Sequence, residues 1–131
     1  AGATARVVCR TMRTNTTAVN VEAEVPGRDA SLAPLLVITP RSGWWTCAAE
    51  RGGGLVCWLE AMRALAGARP ARRTLFVASS GHELGHLGLE AFLHDHDTLL
   101  RTAHACLHLG ANIGAGGATA AGALVQASDD G

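Results

Sequence analysis

The sequence contains no lysine and no tyrosine, so all 11 of its basic residues are arginine. That pattern, beside abundant Ala and Gly, reads as a bias of the coding sequence before it reads as function. The arginines are scattered apart from Arg69, Arg72 and Arg73, and 11 acidic residues bring the formal net charge to zero. This excludes the basic stripe that a nucleic-acid surface needs. No apolar run approaches the roughly 18–20 residues that span a bilayer. The first residues lack the charged-then-apolar pattern of a leader; because the chain opens at Ala1, a preceding segment is expected. The four cysteines, Cys9, Cys47, Cys57 and Cys106, form no CxxC pair, which argues against a zinc ribbon. Three of them sit in apolar stretches and are expected to be buried free thiols. Nothing in this inventory sets the compartment or the oligomeric state.

What is present is enough for one domain of 131 residues with a real core. Residues 19–25 alternate apolar and polar, the mark of a strand with one wet face. Pro26-Gly27-Arg28-Asp29 reads as a turn. Leu35-Leu36-Val37-Ile38 and Leu75-Phe76-Val77-Ala78 are continuously apolar, as strands buried on both faces are. Residues 5–12 and 106–109 are two further candidate strands. Between them, Leu55, Trp58, Leu59, Met62, Leu65 and Ala66 fall at helical spacing, and Gly67 and Pro70 end that helix. A short helix is expected over about 82–93 and another, capped by Asp95 or Asp97, through about 103. The stretch 114–122 is a Gly/Ala linker, and Leu124 opens a further element. Strands alternating with helices predict an α/β fold with a mostly parallel central sheet and flanking helices. The first two strands are expected to pair as an antiparallel N-terminal hairpin at the sheet edge. In such sheets ligands bind beyond the carboxyl ends of the strands, where the loops at 39–54, 79–83 and 110–117 would open.

The chemistry-bearing residues gather in one loop. His82-Glu83-Leu84-Gly85-His86 satisfies the HExxH pattern, in which two histidines one helical turn apart hold zinc and the glutamate is the base. Gly85 and the nearby strand end speak against a long helix there. Ser80-Gly81-His82-Glu83 also fits a helix capping box, in which Glu83 ties off backbone N–H groups and does no chemistry. All six histidines fall between His82 and His108, which suits a metal or proton-transfer site. His94, His96 and His104 are expected to be solvated, His86 to face a packed interior, and His108 to be a hydrogen-bonded core histidine.

The order of these pieces resembles the zinc aminopeptidase family of zinc exopeptidases, which includes bacterial leucyl aminopeptidases, aminopeptidase Y and glutaminyl cyclases. Residues 20–27 resemble its first hairpin, 35–42 the strand to its first metal loop, and 48–66 its bridging-ligand loop and helix. Phe76 to Gly88 resembles its Gly-Glu-Glu-x-Gly-Leu-x-Gly loop, and 107–114 its Asn-x-Asp-Met-x-Gly strand end. The resemblance spans most of residues 19–127 and implies that the rest of the family domain lies beyond residue 131.

The resemblance also implies roles. The family's first His-x-Asp falls on Thr39-Pro40-Arg41, its bridging Asp on Glu50, its general-base Glu on His82 and its adjacent metal-binding Glu on Glu83. Its later Asp falls on Ala111, beside Asn112. Catalytic candidates are therefore Glu83 and His82, and metal candidates are Glu50, Glu83 and His86. Arg41, Trp45 and Asn112 are candidate substrate contacts, and Trp44 and Trp45 a candidate apolar wall. So many lost ligands argue against a two-zinc site and leave one zinc or none. A guanidinium can hold two carboxylates as a metal would, and Arg41 is the arginine expected to do so. Three functions follow: an aminopeptidase-like hydrolase of peptide or aminoacyl substrates with a degenerate metal site, a non-catalytic binding or structural module on that fold, or an HExxH zinc protease.

Overall fold

The computed structural model describes residues 2–110. Asn112, the stretch 114–122 and Leu124 lie outside the described residues. The strands are β1 (Val21–Val25), β2 (Leu35–Pro40), β3 (Thr74–Ser79) and β4 (Ala105–His108). The helices are α1 (Gly53–Ala68), α2 (Leu87–Asp95) and α3 (Asp97–Thr102). A π-helical turn, Ala48–Gly52, leads into α1, and a 3₁₀ turn, His82–Leu84, precedes α2. Residues 5–12, expected as a strand, carry no helix or strand, and Val7, Val8 and Met12 are exposed.

The sheet is open and mixed, with the order β1-β3-β2-β4. β2 runs parallel to both β3 and β4, whereas β1 is antiparallel to β3. The two continuously apolar strands take the centre, because only there are both faces of a strand covered. α1 covers one face through Leu55, Trp58, Ala61, Met62 and Leu65, packed on Val25, Val37, Phe76 and Ala78. Trp58 meets Phe76 edge to face at 5.7 Å and donates its indole N–H to Val37 O at 3.2 Å. On the other face Leu36, Ile38 and Val77 pack on Phe92 of α2, with Leu99 and Leu100 of α3 beside them. Leu59 and Ala66, expected on the inner face of α1, are exposed instead.

The N-terminal hairpin is not formed. β1 pairs with β3, with Ala23 opposite Phe76, so the link from β1 to β2 crosses the start of β3 rather than turning back on itself. Arg28 N–H donates to Pro70 O, Asp29 N–H to Ala71 O and Leu35 N–H to Arg73 O, each at 3.0 Å. Gly27 makes that crossing possible: a Cβ there would collide with the backbone of Ala71, Arg72 and Arg73. Burial explains the exchange of partners. β1 has only one apolar face, and at the edge beside β3 its Val25 and Ala23 reach the α1 cluster while Glu22 and Glu24 stay exposed.

The thiols are also placed differently from expectation. Cys9, Cys57 and Cys106 are exposed and Cys47 is half-buried; all are free. Cys57 follows Val56 on the outer face of α1, and Cys106 lies on the edge strand β4.

Gly27→Ala tests the crossing. In a hairpin turn the added methyl would cost little, whereas here it overpacks backbone and should destabilise by about 1–3 kcal/mol. Thermal unfolding followed by circular dichroism should show a Tm lower by at least about 4 °C; an unchanged Tm would contradict the crossing.

Candidate functional site

The carboxyl ends of β2 and β3 point the same way, and the loops that follow them meet there. Arg41 N–H donates to Ser79 O at 2.8 Å, which holds the two strand ends together. Beyond them the chain passes through Ser42, Gly43, Trp44 and Trp45 to the π-helical turn. The β3 side continues into Ser80, Gly81 and the 3₁₀ turn.

That second loop has its shape set by glycine. Gly81 and Gly85 have φ of +71° and +87°, in the left-handed region where a side chain is strained. Gly88 has no room for a Cβ, which would lie 2.5 Å from Ser80 O. Asn20 secures the turn, accepting from Ser80 N–H at 3.0 Å and donating to Gly88 O at 2.8 Å. The expected helix over 82–93 is broken: His86 itself has φ +61°, and α2 starts only at Leu87. His82 and His86 therefore do not share the face of one continuous helix. Their rings meet edge to face, with centroids 4.2 Å apart.

The capping box is not made either. The Ser80 hydroxyl donates to Val19 O at 2.6 Å and accepts from Arg41 at 3.0 Å. Glu83 turns away from the helix start. Its Oε1 accepts from Arg51 Nη2 at 2.7 Å, and its Oε2 accepts from the Ser42 hydroxyl at 3.0 Å. The same Arg51 nitrogen lies 3.0 Å from Glu50 Oε1. The guanidinium between the two carboxylates thus belongs to Arg51 and not to Arg41. Arg51 is fixed further by donation from Nε to Ser42 O at 2.7 Å. Its side chain is 6% exposed, against 13% for Glu83 and 41% for Glu50. Glu50 also accepts from the Cys47 thiol at 3.3 Å.

Arg41 lies to one side, with Nη1 donating to Val19 O at 2.7 Å and to the Ser80 hydroxyl. Thr39 is fully buried and donates to Leu109 O at 3.0 Å. Trp45 is 99% exposed with φ +50°, and Trp44 is the ring that faces the site. Arg41, Ser42, Trp44, Ser80, Glu83 and Leu84 help line a cleft of about 570 Å³, closed on one side by residues 17–19. His86 and His108 are exposed, against expectation, and His96 is half-buried with its ring stacked 4.3 Å from that of Phe92. Among the described residues, no group of three or more His, Cys, Asp or Glu side chains is placed to hold a metal ion. Glu50 and Glu83 are brought together, but around a guanidinium; His82 and His86 form a separate pair.

Electrostatics follow from this geometry. Burial pushes the Glu83 carboxyl upward, but hydrogen bonds from Arg51 and Ser42 and the guanidinium charge outweigh it and hold its pKa below the usual glutamate value. Burial holds His82 below the ordinary histidine value, helped by Arg51 and His86 and opposed by Glu83. Arg51 and Ser42 are the site residues that sequence patterning misses. The available signal was an arginine next to Glu50 in the loop between a buried strand and a helix.

No model of a known protein family matches the chain, and no curated protein matches it. Fold and site together define an α/β protein whose described residues form an open mixed four-stranded sheet with an arginine-centred polar site at the strand ends.

Two predictions follow from the site. Arg51→Ala leaves Glu83 buried without its counter-charge and should cost about 3–5 kcal/mol, read by urea unfolding; a loss under about 1 kcal/mol would mean the pair is solvated and weak. The site's contribution to pH dependence comes from its two depressed pKa values, those of His82 and Glu83. In each case the unfolded chain binds more protons, so stability falls as pH falls. Tm should decline as pH drops below 6.5, where unfolded His82 takes up its proton, and again below 4.5, where Glu83 does. In Glu83→Gln the lower decline should be shallower; an unchanged lower limb would show that Glu83 does not contribute.

Proposed function

We propose that this protein is a ligand-binding module on an aminopeptidase-like α/β scaffold, with the Arg51 guanidinium standing where a cation would otherwise join Glu50 and Glu83. The observation that carries this reading is the single Arg51 nitrogen shared by the two carboxylates at 3.0 and 2.7 Å. A zinc ion set between the same carboxylates would meet a buried positive charge at contact distance, and like charges there repel strongly. Thr39, Pro40 and Arg41 supply no metal ligand in place of the family's first His-x-Asp. The described residues offer no group of three or more metal-binding side chains, which speaks against a two-zinc centre.

A second reading has its own observation. His82 sits beside Glu83, and burial together with Arg51 holds its pKa below the ordinary histidine value, which favours the neutral imidazole. A neutral imidazole can take a proton from water or from a substrate group, so a metal-free or one-metal hydrolase is the alternative.

Metal analysis by mass spectrometry and hydrolysis of an aminoacyl p-nitroanilide panel, with and without chelator, separate the two. The binding-module reading expects less than one zinc per ten chains after dialysis against about 10 µM zinc, a loading that a site with micromolar affinity would exceed, and no turnover. Stoichiometric zinc, with turnover lost in Glu83→Gln, would overturn it in favour of the hydrolase.

A further inference from the structure

We infer that the cleft beside the arginine-centred site binds a small carboxylate ligand carrying an apolar group, with Arg41 as the anion partner and the Trp44 ring as the apolar contact. The inference deepens the binding-module reading and rests on it, because it takes the charge of Glu83 to be satisfied by Arg51.

Arg41 is built to present charge. It follows β2 directly, and its backbone is tied to Ser79 O. Its Nη1 is held by two neutral acceptors, Val19 O at 2.7 Å and the Ser80 hydroxyl at 3.0 Å. Those bonds orient the guanidinium without neutralising it. Arg51, Arg63, Arg73 and Arg101 each have a carboxylate partner. Arg41 has none among the described residues. A guanidinium has five N–H groups, and the bonds described for Arg41 use only Nη1. Its Nε and Nη2 hydrogens remain for a planar two-oxygen acceptor, the geometry that a carboxylate supplies.

Glu83, the acid of the cleft lining, does not compete for Arg41. One of its oxygens is on Arg51 and the other on Ser42. With Glu83 compensated, the uncompensated charge of the lining is that of Arg41. The rest of the lining favours an apolar partner. Trp44 is 63% and Leu84 66% exposed, and Val19 also faces the cleft. An indole left open beside a fixed cation is the pairing that an acid with an aromatic or branched side chain would cover. The volume of about 570 Å³ lies within the usual range for small-molecule sites, roughly 300–1,000 Å³.

The probe is N-acetylphenylalanine, compared with N-acetylphenylalanine amide, which keeps the shape and loses the charge. Each is titrated into the full chain, with chelator present, and followed by amide and indole shifts in nuclear magnetic resonance. The acid should move the Trp44 indole and the backbone signals of residues 41–44 and 80–84, and the amide should bind about tenfold more weakly or worse. Arg41→Met should weaken the acid to the level of the amide. Arg41→Lys, which keeps the charge but not the two-point geometry, should fall between, and Trp44→Ala should weaken acid and amide alike. Melting curves of each variant show that it folds. Equal binding of acid and amide, no binding of either, or Arg41→Lys and Arg41→Met both leaving the acid unaffected would overturn the inference. Binding that appears only when zinc replaces the chelator would overturn the binding-module reading instead.

Discussion

The site depends on a buried positive charge that the fold must satisfy. Arg51 reaches inward from the π-helical turn and finds the Ser42 carbonyl, Glu50 and Glu83, which belong to three different segments. Withdrawing a guanidinium from water costs several kcal/mol unless its geometry is nearly complete. Here it is not fully complete: Nη1 is buried with no partner among the described residues. An unmet donor carries a penalty of about 1–3 kcal/mol, so the pairs on Nη2 and Nε must offset more than their own desolvation. That makes the cluster a clamp on the loop shape rather than a large source of stability. It ties the loop after β2 to the loop after β3, in addition to the backbone link between Arg41 and Ser79.

The sheet delivers these loops to one place. β2 and β3 are parallel and in register from Leu35 opposite Thr74 to Pro40 opposite Ser79, so the chain leaves both strands at the same height. α1 starts close to the same level, because Gly54 lets its first turn approach Thr39, Leu109 and Gly110. A side chain at Gly54 would press on Thr39, Leu109 and Gly110, so the helix start, and with it the π-helical turn carrying Arg51, would have to shift. Core packing and site geometry are therefore coupled at the helix start.

Much of this was legible in the sequence, for a physical reason that differs between fold and site. The central strands announce themselves because a strand buried on both faces must be apolar throughout. α1 announces itself because its inner face repeats at helical spacing. The partner of β1 was not legible. The alternation in Val21-Glu22-Ala23-Glu24-Val25 says that one face is wet, not which strand lies beside it, and only the clash that would follow a side chain at Gly27 records the crossing. The break before α2 was half legible. Gly85 marks a weak helix, but His86 at positive φ has no sequence signature, since only the surrounding turn forces it there. Arg41 was expected between the carboxylates because the resemblance sets it where an acid near them would fall. Arg51 takes that place because it alone starts from the turn beside Glu50, and side-chain reach after folding is not written in spacing.

The loop from Gly81 to Gly88 shows why backbone shape and site chemistry can part company. Its course is fixed by positive φ at Gly81 and Gly85, by the close approach of Gly88 to Ser80, and by the Asn20 side chain bonded to both. None of these constraints involves what Glu83 holds. Glu83 needs only a fixed positive charge at hydrogen-bond distance, and a guanidinium provides one with defined direction. Once the neighbouring helix start supplies that guanidinium, the carboxylate is neutralised from within the chain, and Arg41 is the charge of the adjoining cleft without a carboxylate partner among the described residues. The glycine spacing is thus a record of how the backbone turns, and the arginines decide what the turn can bind.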